Sequence, residues 1–478
     1  MLRSSPIQNQ LNMFEPLLSY LISPSHELVV LASQLRWGVF ETEFSRLYSE
    51  TGRPAHPIRR MVGFLILKQL YNLSDENLVA RWVENPYWQY FTGEAVFQYV
   101  APFDPSELVH FRNRIGGDGA ELIFKESILL HGADAMESEV VVDTTVQEKN
   151  ITYPTDTKLR KKVMDKCIEI AQQEGVKLSR TYAKERKELL LKLRFRNHPR
   201  RKREAKKADK RFLTITGRIL RDLERKLEAA GIRWVYEYDL GIFTRVVTQK
   251  RKDKNKVYSL HEPNVCCIAK GKEHKPYEFG CKVSIATTRT KGIIVSALAF
   301  DGNPYDGNTM EPALDQVECL TGKRPADATA DRGYRGRKKL GDTAIHIPTT
   351  PPKDQTKAQA KAIRKQFRRR TAIEPRISHL KQDYRMGRNF LKGDKGDVFN
   401  LLMSATAWNL RLWIRSLLMN FSILRGLLSF AMVTKRGLHL RLDGVITFAI
   451  ITLARSWTIS GSPKGQGTGG VRQNLVSF

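Results

Sequence analysis

Apolar and polar positions along this 478-residue chain change their period several times. Up to about residue 135 apolar residues recur at intervals of three and four, the spacing of one helix face. The segment "HPIRRMVGFLILKQLYNLSDENLVARWVENPYWQYF" predicts a helix opened by Pro57, a turn, and a second helix capped by Ser74. "DPSELVHFRNRIG" predicts another helix from Ser106. Two short helices with a tight junction are compatible with a helix-turn-helix, although most such pairs bind nothing. Trp82, Trp88 and Tyr90 read as core. At "SEVVVDTTVQ" the pattern becomes a β-branched run, apolar on both faces, which predicts a central strand ending at Asp143. From about Thr155 to Gly231 helical periodicity returns. Beyond it, "NVCCIAKG", "YEFGCKVSIATT" and "KGIIVSALAF" predict three antiparallel strands. A turn and helix in "DGNPYDGNTMEPALDQVECL", a strand ending at Asp331 in "RPADATADRGYRG", a strand in "TAIHIPT" and a long helical stretch complete the order.

With the charged block set aside, that order is strand, strand, strand, helix, strand, strand, helix. It predicts an α/β chain: an RNase H-like mixed-sheet core with an α-helical N-terminal domain and a basic helical insertion. The expected domains are 1–135 (helical), 136–154 with 232–430 (the core), 155–231 (the insertion) and 431–478, a Gly/Ser-rich tail expected to be partly disordered.

Charge narrows the class of partner. The formal net charge is +30, and a surplus of that size favours a polyanion. Within 155–231, lysine and arginine outnumber the acids by more than two to one. Arg200, Arg201, Lys202 and Arg203 form its densest run and are candidate phosphate contacts; the bland alternative is a solvated helical hairpin. A membrane is a poor fit, because the apolar run in "DGVITFAIITLARSW" is far short of the ~20 residues a span needs. Five cysteines form no C-x-x-C pair, and His261 and His274 around Cys266 and Cys267 match no zinc spacing. Reduced thiols and a cytoplasmic protein are expected.

The candidate chemistry lies in three carboxylates. Asp143 and Asp331 are placed at strand ends, where α/β proteins put their sites. The third, Glu374, lies in "FRRRTAIEPRISHLK". At about 100° per residue, Glu374 falls about 40° and Lys381 about 20° from Arg370, so the three share one side of a helix. Ile373, Ile377 and Leu380 flank that side. Two plain readings compete: an i,i+4 ion-pair ladder, and a capping box in which Glu374 reaches back to Thr371.

The segments "VVVDTTVQEKNITYPTD", "ATADRGYRG" and "FRRRTAIEPRISHLK" together resemble bacterial insertion-sequence transposases of the DDE class. The third acid of that family stands in Tyr-x2-Arg-x3-Glu-x6-Lys. Arg370, Glu374 and Lys381 match it, and Phe367 takes the tyrosine position. "KGKEHKPYEFG", "GRNFLKG" and the run from "GRPAHPIRR" also resemble the family, over roughly residues 10–425. The resemblance implies that Asp143, Asp331 and Glu374 hold two Mg²⁺ ions, for which Mn²⁺ can substitute. It also implies that Arg370 and Lys381 contact DNA phosphate near the scissile bond. The implied enzyme cuts at the inverted-repeat ends of its element, joins the 3′-OH ends to target DNA, and works as a homodimer or larger assembly on DNA. A stand-alone RNase H-like nuclease and a decayed, non-catalytic basic DNA-binding protein are the alternatives. Among rival acids, Asp301 and Asp306 read as turn residues in their D-G dipeptides, and Asp327 loses to Asp331 on strand position.

Overall fold

The structure is a computed structural model, and the residues described are 17–435 apart from 50, 52–53, 195, 251, 270–272, 274, 349–355, 357, 360, 362–366 and 369. The chain divides into two compact units, Met1–Leu412 and Trp413–Phe478. The expected tail lies, from residue 436 on, outside the described residues.

Among the described residues seven α-helices precede the first strand: α1 (Leu18–Leu21), α2 (Glu27–Gln34), α3 (Trp37–Ser45), α4 (Ile58–Leu70), α5 (Asp75–Trp82), α6 (Pro86–Phe91) and α7 (Ser106–Leu129). Helix α4 buries almost every side chain from Met61 to Leu70, as expected of a helix apolar all round. Pro57 sits one place ahead of the first helical residue. Ser74 caps α5 by accepting the Asn77 N–H at 3.2 Å. Trp82 and Trp88 are buried, and Tyr90 is half-buried. The two arginines of "HPIRR" face inward. Arg60 pairs with buried Glu94 at 2.6 Å, and Arg59 donates to the Tyr90 and Phe91 carbonyls.

The sheet contains β1 (Glu139–Glu148), β2 (Cys266–Ala269), β3 (Tyr277–Thr288), β4 (Ile294–Phe300), β5 (Asp327–Thr329), β6 (Lys339–Leu340) and β7 (Thr343–His346). Strand β1 is its centre. It pairs antiparallel with β3 from Val140↔Thr288 to Glu148↔Gly280, and parallel with β5 at Glu139↔Asp327, Val140↔Ala328 and Val141↔Thr329. β4 continues beyond β3, β7 pairs parallel with β5, and β2 and β6 are short additions. Without those two, the five strands stand third, second, first, fourth, fifth across the sheet, an RNase H-like order. Gly280 in "KPYEFG" makes the central pairing possible: a Cβ there would overlap the Gln147 carbonyl oxygen.

Between β1 and β2 lie α8 (Asp156–Gln173), α9 (Ala183–Leu193), α10 (Lys202–Ala229) and α11 (Glu237–Thr248). They share a core of their own, with Val163, Cys167, Phe212, Ile219 and Leu223 at its centre. The expected boundary at Gly231 is corrected here. Leu240, Phe243 and Val246 of α11, and Val257 after it, bury into the same core. Gly231, at φ 70°, ends helix α10 in the left-handed conformation glycine favours, and does not end the domain.

After β4 come α12 (Asp306–Thr321), α13 (Ile373–Asp383) and α14 (Gly393–Lys435). Helix α12 packs on β3 and β4. The buried Gln69 amide of α4 donates to the Tyr384 carbonyl at 3.0 Å and to Ser404 at 2.9 Å, joining the N-terminal helices to the core.

Candidate active site

Two strand ends expected from the sequence fall elsewhere. Strand β1 does not stop at Asp143 but runs five residues further, because its polar continuation is buried and bonded. The Gln147 amide donates to the Asp397 carbonyl at 2.9 Å and accepts from Asn400 at 2.9 Å. Strand β5 stops at Thr329, and Asp331 instead caps a short 3₁₀ turn by accepting the Gly333 N–H at 2.8 Å.

Both changes leave the aspartates at the same end of the β1–β5 pair. Val141 and Thr329 are paired neighbours on parallel strands; Asp143 lies two residues further along β1, and Asp331 two residues past the end of β5. Parallel neighbours run about 4.8 Å apart. Asp143 Oδ1 accepts from the Thr144 N–H at 2.8 Å, which orients its carboxylate along the backbone.

Asp306, expected in a turn, is the first residue of α12 and reaches the same place. Its Oδ1 takes the Thr144 hydroxyl at 2.7 Å and the Lys282 ammonium at 2.5 Å. Lys282 is nearly buried and also donates to the Pro304 carbonyl at 2.6 Å, so one lysine holds both the loop and the acid. Tyr334 is buried against these residues. Burial first, then the Asp143 and Asp306 charges, push its phenol well above the usual range, so it stays protonated. Asp327, the rejected rival, bonds His346 at 2.7 Å.

Helix α13 packs against β1. Ile373, Ile377 and Leu380 are buried. Pro375 falls in the first turn, where its missing N–H is tolerated. No capping box forms: Thr371 donates to the Arg368 carbonyl. The Glu374 carboxylate meets Arg370 at 3.3 Å with its side chain 60% exposed. Lys381 approaches Glu278 at 3.8 Å. A cation that sequence reasoning missed, Arg376, lies between them; its guanidinium is largely buried and donates to Thr287 at 2.8 Å.

The far end of β1 is locked by ions. Lys149, buried, donates to the Leu391 and Gly393 carbonyls at 3.0 Å and pairs with Asp397 at 3.0 Å and Glu262 at 3.4 Å. Those carbonyls belong to "GRNFLKG", whose Asn389 also bridges to Lys149 along the backbone. The motif thus anchors the strand that carries Asp143. In the insertion, Arg200, Arg201, Lys202 and Arg203 are all exposed at the start of α10.

Among the described residues, no three His, Cys, Asp or Glu side chains already sit close enough to hold one ion. The oxygen-only pair on β1 and after β5 nevertheless fits a hard divalent cation. Gly333 leaves beside it the space a Cβ would fill, 2.9 Å from Asp331 Oδ1. A mixed sheet with one aspartate on its central strand and another just past the parallel neighbour is compatible with the metal-dependent enzymes of phosphodiester chemistry. Residues 16–114 match the family described as Transposase domain (DUF772), and residues 243–410 the family described as Transposase DDE domain; β1 and α8–α10 fall between the two matches. The chain is 40% identical over 202 residues to the "uncharacterized protein ORF8 in nfe locus" of Rhizobium meliloti, covering 41% of this chain and 98% of that protein. No solved structure matches. The chain belongs to the DDE transposases, divalent-metal-dependent enzymes that cut and join DNA strands. Among the described residues no helix is long and apolar enough to cross a membrane.

Proposed function

We propose that Asp143, Asp331 and Glu374 are the acids of this transposase, that they hold two Mg²⁺ ions for which Mn²⁺ can substitute, and that the DNA they cut is the pair of inverted-repeat ends of an insertion sequence. The register that sets Asp143 beside Asp331 carries this reading. When bound, the ions activate the attacking water or 3′-OH and stabilise the leaving oxygen. The protein's part is to hold position. Strand β1 holds Asp143 and the 3₁₀ turn holds Asp331, while Glu374 and Arg370 occupy each other in the resting chain. On DNA they exchange partners, Glu374 turning to the metal site and Arg370 to phosphate, to which its planar fork is suited. Lys381 follows on the same side of the helix. The N-terminal helices read the end sequence, and two copies of the chain pair the ends.

The test uses a labelled duplex carrying the element's end and a target plasmid. Strand cleavage and 3′-OH joining are expected with Mg²⁺ or Mn²⁺ and are expected to stop with chelator. Cutting that persists in chelator would overturn the metal assignment, and cutting without any joining would favour a nuclease.

The exposed run at the start of α10 extends the DNA track. Neutralising Arg200, Arg201, Lys202 and Arg203 together is expected to weaken binding to end and non-end duplexes alike. It should also make the slope of log K against log salt shallower by about one per lost phosphate contact. Unchanged affinity and slope would leave these residues as a solvated face.

A further inference from the structure

Asp306 lies outside the three-acid set, yet it shares their space. A Cβ built on Gly333 would sit 2.7 Å from Asp306 Oδ2 and 2.9 Å from Asp331 Oδ1. The two oxygens are therefore no further apart than the sum of those lengths, and they look into one gap. Gly333 does not adopt a positive φ, so the backbone does not demand glycine there. The close approach of two carboxylates does, since any side chain would fill the gap.

The bland account is an aspartate in the first turn of a helix, favoured by the dipole and paired with Lys282. It explains Oδ1, which takes both Lys282 and Thr144. It does not explain why Oδ2 is directed at a second carboxylate across a space left empty of side chain. Like charges so placed repel unless a cation joins them, and Lys282 is engaged on the other oxygen and on the Pro304 carbonyl. Beside the gap, the hydroxyls of Tyr334 and Ser284 are buried without a hydrogen bond of good geometry, and Thr309 and Ser284 are the groups nearest the Tyr334 hydroxyl. Ser284 is the register neighbour of Thr144, and Tyr334 lies near enough to Asp143 and Asp306 to feel both charges. Asp306 and Asp331, from two different elements, thus face one space with buried hydroxyl groups beside it.

We infer that Asp306 is a fourth carboxylate of the metal centre, set by Lys282 and Thr144 and facing a divalent cation together with Asp331 across the gap that Gly333 keeps open. This rests on the reading of Asp331 as a ligand. Its thermodynamic consequence is measurable without any reaction: the affinity of the full-length chain for Mn²⁺ alone, followed by the electron paramagnetic resonance of free Mn²⁺. Asp306→Asn keeps an oxygen for Thr144 and Lys282 but removes the charge. Gly333→Ala leaves every charge in place and puts a methyl group in the gap. Each is expected to weaken Mn²⁺ binding about 10-fold or more in a chain that still melts cooperatively, Asp306→Asn at a lower temperature because nearly buried Lys282 loses its counter-charge, and Asp331→Asn to weaken binding further. Two separate variants guard against a folding defect in either one. Wild-type affinity in both Asp306→Asn and Gly333→Ala, with loss in Asp331→Asn, would return Asp306 to a helix-end ion pair and sink this inference alone. Wild-type affinity in Asp331→Asn would remove the reading beneath it as well.

Discussion

Replacing Asp143 or Asp331 with asparagine is expected to leave the transposase folded and to slow strand cleavage by roughly a thousandfold or more, ~4 kcal/mol of transition-state stabilisation. The expectation of intact folding comes from what each carboxylate does for the backbone. Asp143 Oδ1 accepts the Thr144 N–H, and Asp331 Oδ1 accepts the Gly333 N–H. An asparagine oxygen accepts the same bonds, so β1 and the 3₁₀ turn keep their caps. What asparagine lacks is the negative charge that binds a hard cation, and with it the alignment of the scissile phosphate. Cleavage of an end-containing duplex, measured beside a melting curve, checks both halves. Near wild-type cutting by either variant would remove that aspartate from the catalytic set.

Glu374→Gln is expected to cost almost as much, and Arg370→Ala to slow cleavage by about 10- to 1000-fold. The contrast with stability is the discriminating feature. Glu374 is mostly exposed, and its contact with Arg370 is an i,i+4 pair at 3.3 Å, a geometry worth only a few tenths of a kcal/mol. If the pair were merely a surface ladder, either change would move the melting temperature slightly and leave cutting untouched. If the two side chains separate to meet metal and phosphate, cleavage collapses while the melting curve barely shifts. The anchors of the helix, Ile373, Ile377 and Leu380, are buried and are left intact by the substitutions, so loss of fold is not expected. A variant Arg370→Ala that cuts like the wild type would mean that the helix holds no phosphate.

Much of this protein was legible in residue order, because the signals are local. Helical period, β-branched runs and caps such as Ser74 report the conformation of their own few residues. The order of strands and helices, with the basic block lifted out, was enough to infer the sheet's topology, since connections in such sheets are constrained. The three acids stood in motifs whose internal spacing was visible. Where elements end was less legible. Thr144 and Gln147 fall beyond the expected end of β1, yet they continue it, because their partners Asp306, Asp397 and Asn400 come from more than 150 residues away. Gly231 looked like the end of the insertion, yet it ends only a helix, because whether Phe243 and Val246 belong to that bundle depends on which core they reach.

The sequence by itself determined the class of element at each stretch, the excess of positive charge, and the candidate acids, all of which depend on residue type and short-range spacing. Only the tertiary structure decided which of these residues meet. The pairing of Val141 with Thr329, which brings the segments bearing Asp143 and Asp331 to neighbouring positions, is a register that no local pattern encodes. Asp306, discarded as a turn residue for its D-G dipeptide, is brought to them by the packing of α12 on the sheet. Glu374, matched by motif, turns to Arg370 in the resting chain. Contacts of this kind depend on distances between segments far apart in the chain, and those distances exist only once the core has closed.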